Sequence, residues 1–253
     1  MFVVHRLLIS TILLTWIVGL ELIKKTPMLW WAVLIGLILQ IGLLVWFVNK
    51  KKIDRNLFHF LILPVGFAVC SYAFCLFLVN VSVFHVMVVL SAIVLYLLIK
   101  QYYIYSFFPL KYQPYSLESL SWYFSLVTYF FLFASAFGSY IVLKFNFQIL
   151  SVVVVILLAL LIYYYFWINK ISFNKSKLFI SIIVLIALEL FTVVSFLPTG
   201  YYVNSFIITI ALYLTLSLSK LFLVGGITRK KVMHHVIVVC VMLLAVLFTA
   251  RWD

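Results

Sequence analysis

Apolar residues occur along the whole chain in long runs that only short polar breaks interrupt. About 20 consecutive apolar residues form a helix long enough to cross the hydrocarbon core of a bilayer. A soluble protein has only its core in which to bury such residues, yet here 68% of the residues are hydrophobic and 9% are charged. We therefore take lipid, and not water, as the medium that surrounds this chain.

The pattern within the runs predicts helices. Strands of a membrane barrel alternate apolar and polar residues, whereas these runs are continuously apolar. A helix also satisfies its own backbone hydrogen bonds in lipid. The predicted fold class is all-α, a polytopic transmembrane helical bundle that forms one integral membrane domain over residues 1–253.

Nine spans fit the length of the chain. Two apolar stretches are too long for one helix, and we expect them to break at Asn80–Ser82 and at Lys144–Gln148. Pro64 falls inside the third span, where neighbouring helices can tolerate it. The predicted spans are residues 7–23, 28–48, 57–79, 82–104, 119–143, 147–168, 178–198, 201–224 and 232–250.

The distribution of basic residues predicts the orientation. With the N-terminus in the cytoplasm, 13 of the 18 Lys and Arg residues fall inside and four outside. That asymmetry is typical of a cytoplasmic N-terminus. Lys24 and Lys25 fall outside against this trend, and Glu21 is expected to pair with both, at i+3 and i+4. Eight spans, with one N-terminal segment lying flat on the membrane, is the alternative.

The net charge of +13 comes from clusters in the loops between spans, which argues against nucleic acid as a partner. The expected partners are membrane lipids and other membrane proteins, or further copies of this chain. The expected location is the cell membrane, with a bacterial cytoplasmic membrane as the favoured case.

Glu189 is the main candidate for function because it lies near the middle of the seventh predicted span. Ionisable residues inside membrane segments are costly and usually functional. Three roles are open for it, namely a proton relay, a cation site or a contact to a substrate. The alternative is a protonated carboxyl group that hydrogen-bonds a neighbouring helix.

Lys220 lies late in the eighth predicted span. Counted from the turn between spans seven and eight, it differs in depth from Glu189 by about 10–15 Å at 1.5 Å per residue. A direct pair with Glu189 is therefore not expected. A lysine at that depth extends its ammonium group towards the cytoplasmic headgroups. The depth mismatch also argues against a retinal Schiff base.

Polar residues of the cytoplasmic side give weaker candidates, namely His59, Asp54, His234 and His235. A metal or haem held by His59 with His234 or His235 is an alternative. No ligand spacing in the chain supports such a site, so we expect neither a metal nor a cofactor.

Two functional hypotheses remain. The first is a small transporter of a small or lipophilic solute, or a non-catalytic membrane subunit of a larger assembly. The second is a membrane enzyme that acts on a lipid or polyprenyl substrate at the cytoplasmic face. A cavity at Glu189 would favour transport, and a pocket that gathers the histidines with Asp54 would favour the enzyme.

Overall fold

A computed structural model describes residues 2–26, 30–49 and 55–250, with side chains for residues 10–24, 26, 30–49 and 57–250. Over these ranges the chain forms nine α-helices and a 3₁₀ turn at Pro109–Lys111. The helices are α1 Phe2–Lys25, α2 Trp30–Val48, α3 Arg55–Cys75, α4 Val81–Phe107, α5 Ser116–Leu143, α6 Phe147–Ile168, α7 Phe173–Val194, α8 Tyr201–Leu223 and α9 Arg229–Thr249.

The predicted all-α polytopic fold is confirmed. Helix accounts for 87% of the structure, and the described residues contain no β-strand. Eight helices in the described part of the chain, α2 to α9, are long and apolar enough to cross a membrane. The helices form two compact units, residues 1–125 and 126–253, and α5 passes from the first into the second.

In the first unit, α1 packs along α4 and α2. The indole Nε1 of Trp16 donates a hydrogen bond of 2.9 Å to Ser91 Oγ, and five residues later Glu21 meets His85 of α4. The residue numbers of these contacts rise along α1 and fall along α4, so the two helices are antiparallel. The described helix α1 is not among the eight membrane-length helices, so a ninth span stays a prediction.

In the second unit, α7 packs between α6 and α8, and α8 also contacts α9. Phe191 of α7 is fully buried in an aromatic cluster, in which its ring stacks on Phe147 with centroids 5.0 Å apart. Phe133 and Phe137 of α5 contact the same ring. The helix α9 is the least buried of the eight membrane-length helices described, since only 6% of its most apolar 18 residues are buried.

Both predicted hairpin breaks are confirmed. Asn80 precedes α4, and its side-chain oxygen accepts hydrogen bonds from the backbone N–H groups of Ser82 and Val83. Asn146 does the same at the start of α6, where it accepts from Gln148 N at 2.8 Å. An asparagine at this position satisfies donors that the first turn of a helix leaves free, so the polar break is also a helix start.

The bounds of the seventh and third helices differ from the predicted spans. The seventh helix was expected over 178–198 but runs from Phe173 to Val194. Its first turn is polar and helical, and after Val194 the chain forms tight turns, in which Phe196 N donates to Val193 O and Leu197 N to Val194 O. The third was expected to reach residue 79 but ends at Cys75, after which Leu76, Phe77 and Leu78 form tight turns. Hydropathy indicates which residues lie in lipid, whereas the ends of a helix depend on backbone hydrogen bonds.

Candidate functional site

The helix α7 has two faces, both mainly apolar. One face is buried in the second unit and comprises Ser176, Ile180, Ile183, Ala187, Phe191 and Val194. The opposite face is exposed and comprises Leu178, Ile182, Leu185, Glu189 and Val193, spaced three or four residues apart. We call these five residues the α7 outer stripe. Glu189 is its one charged member.

The Glu189 carboxylate has no hydrogen-bond or ion-pair partner among the residues that the structure describes. A bond of 2.7 Å from Thr192 Oγ1 goes to the backbone carbonyl of Glu189 and not to its side chain. Lys220 is half-buried three residues before the end of α8 and does not reach the carboxylate.

The position of Glu189 along α7 makes its exposure costly. It lies 12 residues after Lys177, the last cation at the start of the helix, or about 18 Å along the axis. The helix ends five residues after Glu189, at Val194, or about 8 Å along the axis, so Glu189 is nearer to this end than to Lys177. A charge at the centre of a membrane helix costs about 2.5–3.5 kcal/mol on insertion scales, which is an upper bound for this position. A partner from outside the chain that donates a hydrogen bond to the carboxylate reduces that cost.

Glu21 takes a different partner from the one expected. Pairing with Lys24 was wrong, and the Lys25 side chain lies outside the described residues. Glu21 Oε1 instead lies 2.6 Å from Nδ1 of His85 on α4, while Lys24 Nζ lies 4.6 Å from the centre of the Phe84 ring. Close packing of α1 on α4 brings a tertiary partner nearer to Glu21 than Lys24 of the same helix.

The two adjacent histidines of α9 face different ways. His235 Nδ1 lies 2.9 Å from the hydroxyl of Tyr213 on α8. His234 instead lines an open depression of about 540 Å³. The other lining residues are Arg229, Lys230, Met233 and Ile237. The two side chains therefore have different neighbours, although their ring centres lie 5.8 Å apart.

The remaining cytoplasmic-side candidates are dispersed. His59 is half-buried on α3 of the first unit, and Asp54 lies outside the described residues. Within the described ranges, no three His, Cys, Asp or Glu side chains are grouped closely enough to hold a metal ion. The enzyme hypothesis that would use His59, Asp54, His234 and His235 stays a prediction.

A row of hydroxyl groups along α5 is a feature that the sequence analysis missed. Its members lie on one helix face at spacings of four, three, seven and four residues, which was the available signal: Ser121, Ser125, Thr128, Ser135 and Ser139. Four of them are buried, and Ser139 is half-buried. The row covers 18 residues, or about 27 Å, close to the thickness of the hydrocarbon core.

Tyr129 lies beside this row at the middle of α5. Its side chain is fully buried, and its hydroxyl has no hydrogen-bond partner among the described residues. The neighbouring serines donate to their own helix, as Ser125 Oγ does to Ser121 O at 2.7 Å, and they keep oxygen lone pairs that can accept. Polar atoms therefore line this face of α5 inside an otherwise apolar helix.

No protein family, no curated protein and no solved structure matches this chain in sequence or fold.

Proposed function

We propose that this protein is a non-catalytic membrane subunit that binds another membrane protein through the α7 outer stripe. One observation supports this most strongly. A carboxylate in the last two turns of a membrane-length helix lies on the outside of that helix, among apolar side chains, with no partner among the described residues. A carboxyl group that served an internal transport path would instead face neighbouring helices.

The chemistry of the stripe defines the partner. Leu185 and Val193 flank the carboxylate one turn away on either side and offer an apolar surface about two turns long. A partner helix that packs there needs a hydrogen-bond donor at the depth of Glu189. Lysine, arginine, histidine, asparagine and glutamine provide such donors, and a bond of this kind between membrane helices contributes about 1 kcal/mol. The proposed occupant is therefore a transmembrane helix with one such residue at the depth of Glu189.

Photo-crosslinking in native membranes tests the proposal. A photoreactive residue replaces Val193, and the covalent product is mapped by mass spectrometry. We expect a product with a transmembrane helix that carries a donor residue at matching depth. The yield should fall at least about tenfold in Glu189→Leu, because one lost charge-assisted bond with its desolvated partner amounts to about 1.4 kcal/mol or more. The control Leu185→Val keeps the carboxylate and should keep the product.

Two controls make the result decisive. A photoreactive residue at Ala187, on the buried face of α7, should give no product with another protein. Glu189→Leu should also leave the stability of the isolated chain in detergent unchanged, because the carboxylate has no described partner to lose. A product with lipid or a second copy only, or one insensitive to Glu189→Leu, would refute the proposal. So would destabilisation of the isolated chain.

A second candidate is passage of water or a small polar solute along α5, which the hydroxyl row and the Tyr129 hydroxyl favour. Water is a suitable probe, and stopped-flow light scattering of proteoliposomes measures its flux. Tyr129→Phe removes the central polar group and should slow the protein-dependent flux. Tyr140→Phe is the matched control, since that tyrosine is exposed on the same helix. Flux equal to that of protein-free liposomes would exclude this candidate.

A further inference from the structure

The first turns of α9 carry an arrangement of charge that the proposed subunit role does not use. Arg229, Lys230 and His234 share an open depression with Met233 and Ile237. At 100° per residue these five positions lie within an arc of about 140° on one side of the helix. His235, which contacts Tyr213 of α8, lies outside that arc. The depression is therefore on the side of α9 that faces away from α8.

The charged groups in this depression have no partner of their own. Arg229 and Lys230 make no ion pair or hydrogen bond through their side chains with any described residue. Lys231, next in the sequence, differs, because its Nζ donates to the carbonyl of Gly226 at 3.3 Å. Lys231 also does not line the depression. At the start of α9, Arg229 and Lys230 are therefore cations with no side-chain partner among the described residues, whereas Lys231 is bonded to the preceding loop.

Apolar side chains continue the same face down the helix. Met233 and Ile237 are about half exposed, and below them Val241, Leu244 and Phe248 are 60%, 54% and 85% exposed. None of the α9 side chains on this face is buried, and Val239, the one buried residue of the helix, lies on the opposite side. A ligand that fits must therefore be anionic at one end and apolar over more than 10 Å below it.

We infer that this face of α9 is a binding site for an anionic glycerophospholipid. The headgroup phosphate lies between Arg229, Lys230 and His234, which supply planar and ammonium donors suited to phosphate oxygens. One acyl chain follows Met233 and Ile237 towards Leu244. The site is at the end of α9 that the basic-residue distribution predicts to be cytoplasmic, where anionic lipid attracts Lys and Arg.

The natural cysteines allow a direct test. Cys240 is exposed and lies one turn below Ile237, whereas Cys70 and Cys75 are buried. A bimane fluorophore on Cys240 reports the lipid beside it when nanodiscs contain brominated phosphatidylglycerol or brominated phosphatidylcholine, because bromine quenches the fluorophore. The ratio of quenching by the two lipids gives the local preference for the anionic headgroup.

Each basic residue near a membrane surface contributes about 1 kcal/mol to anionic lipid binding, so two contribute about 30-fold in affinity. We expect the protein to prefer phosphatidylglycerol by about this factor, and Arg229→Gln/Lys230→Gln to abolish the preference. The control Lys175→Gln/Lys231→Gln removes the same charge from the same side of the membrane and should retain it. Size-exclusion chromatography confirms that each variant is folded.

Four results would overturn the inference. Equal quenching by both lipids in the wild-type protein would show that no headgroup is selected. Equal losses in the two double variants would show a general effect of charge and not a site. Loss of the preference on addition of soluble glycerol phosphate would show that the depression binds a free phosphate compound. Quenching blocked by an added acidic peptide would indicate a protein partner there instead.

Discussion

The hydrogen bond between Trp16 and Ser91 should hold α1 in the first unit, and its loss has a calculable cost. Trp16 is fully buried and Ser91 is 2% exposed, with 2.9 Å between Nε1 and Oγ. In Ser91→Ala the indole N–H stays buried without an acceptor, which costs about 1–3 kcal/mol. In Trp16→Phe the Ser91 hydroxyl keeps its own bond to Val88 O, so only the helix-to-helix bond and some packing are lost.

The double variant separates these effects. Once Trp16 is phenylalanine, Ser91→Ala leaves no donor unpaired and should cost much less than it does alone. We expect a coupling energy between the two residues of about 0.6–1.7 kcal/mol, the range measured for bonds between membrane helices. The free energy of unfolding, followed by circular dichroism during SDS titration of mixed micelles, gives this value.

Ser71→Ala is the matched control for this cycle. Ser71 is as buried as Ser91 and bonds its own helix in the same way, through Ala68 O at 3.2 Å. It has no bond to Trp16, so its coupling to Trp16→Phe should be near zero. A coupling energy for Ser91 no larger than that for Ser71 would refute the view that this bond fixes α1 beside α4.

Three further predictions concern packing, capping and pH. Gly19→Val should lower the free energy of unfolding by about 1–3 kcal/mol, because a Cβ at Gly19 lies 3.2 Å from side chains of α2, whereas Gly36→Val should be near neutral. Asn80→Ala should cost about 0.5–2 kcal/mol through the lost cap of α4, and an unchanged denaturation midpoint would contradict this. Burial, with the bond to Glu118, raises the pKa of Tyr112. The stability that Tyr112 contributes is therefore present below the ordinary tyrosine value of about 10 and is lost as the pH rises above it. Tyr112→Phe should flatten that decline in unfolding titrations at alkaline pH, and an unaltered decline would exclude Tyr112 as its source.

The sequence predicted the features that depend on lipid and on single polar residues. The helical fold, the number of helices and the breaks at Asn80 and Asn146 follow from hydropathy and from capping chemistry. The end of α7 was misplaced by four residues because its last residues, before Pro198, are apolar but not helical. Hydropathy does not distinguish a helical apolar residue from an apolar residue in a turn.

The face of a helix in lipid is the property that the sequence predicts least well. In a soluble protein the exposed side is polar, so periodicity identifies it. In α7 the exposed Leu185 and the buried Ile183 are equally apolar, and nothing in the pattern indicates that Glu189 lies with the former. The partner of Glu21 was missed for a related reason, since His85 is distant in sequence and only the packing of α1 on α4 brings it near.

The location of the two chain ends is the most direct test of our prediction that α1 is a ninth membrane span. Fusion of reporters that are active on only one side of the membrane, placed at the N-terminus and after residue 253, locates each end in living cells. We predict the N-terminal reporter in the cytoplasm and the C-terminal reporter on the opposite side, because an odd number of spans separates them. Both ends on one side would contradict α1 as a membrane span.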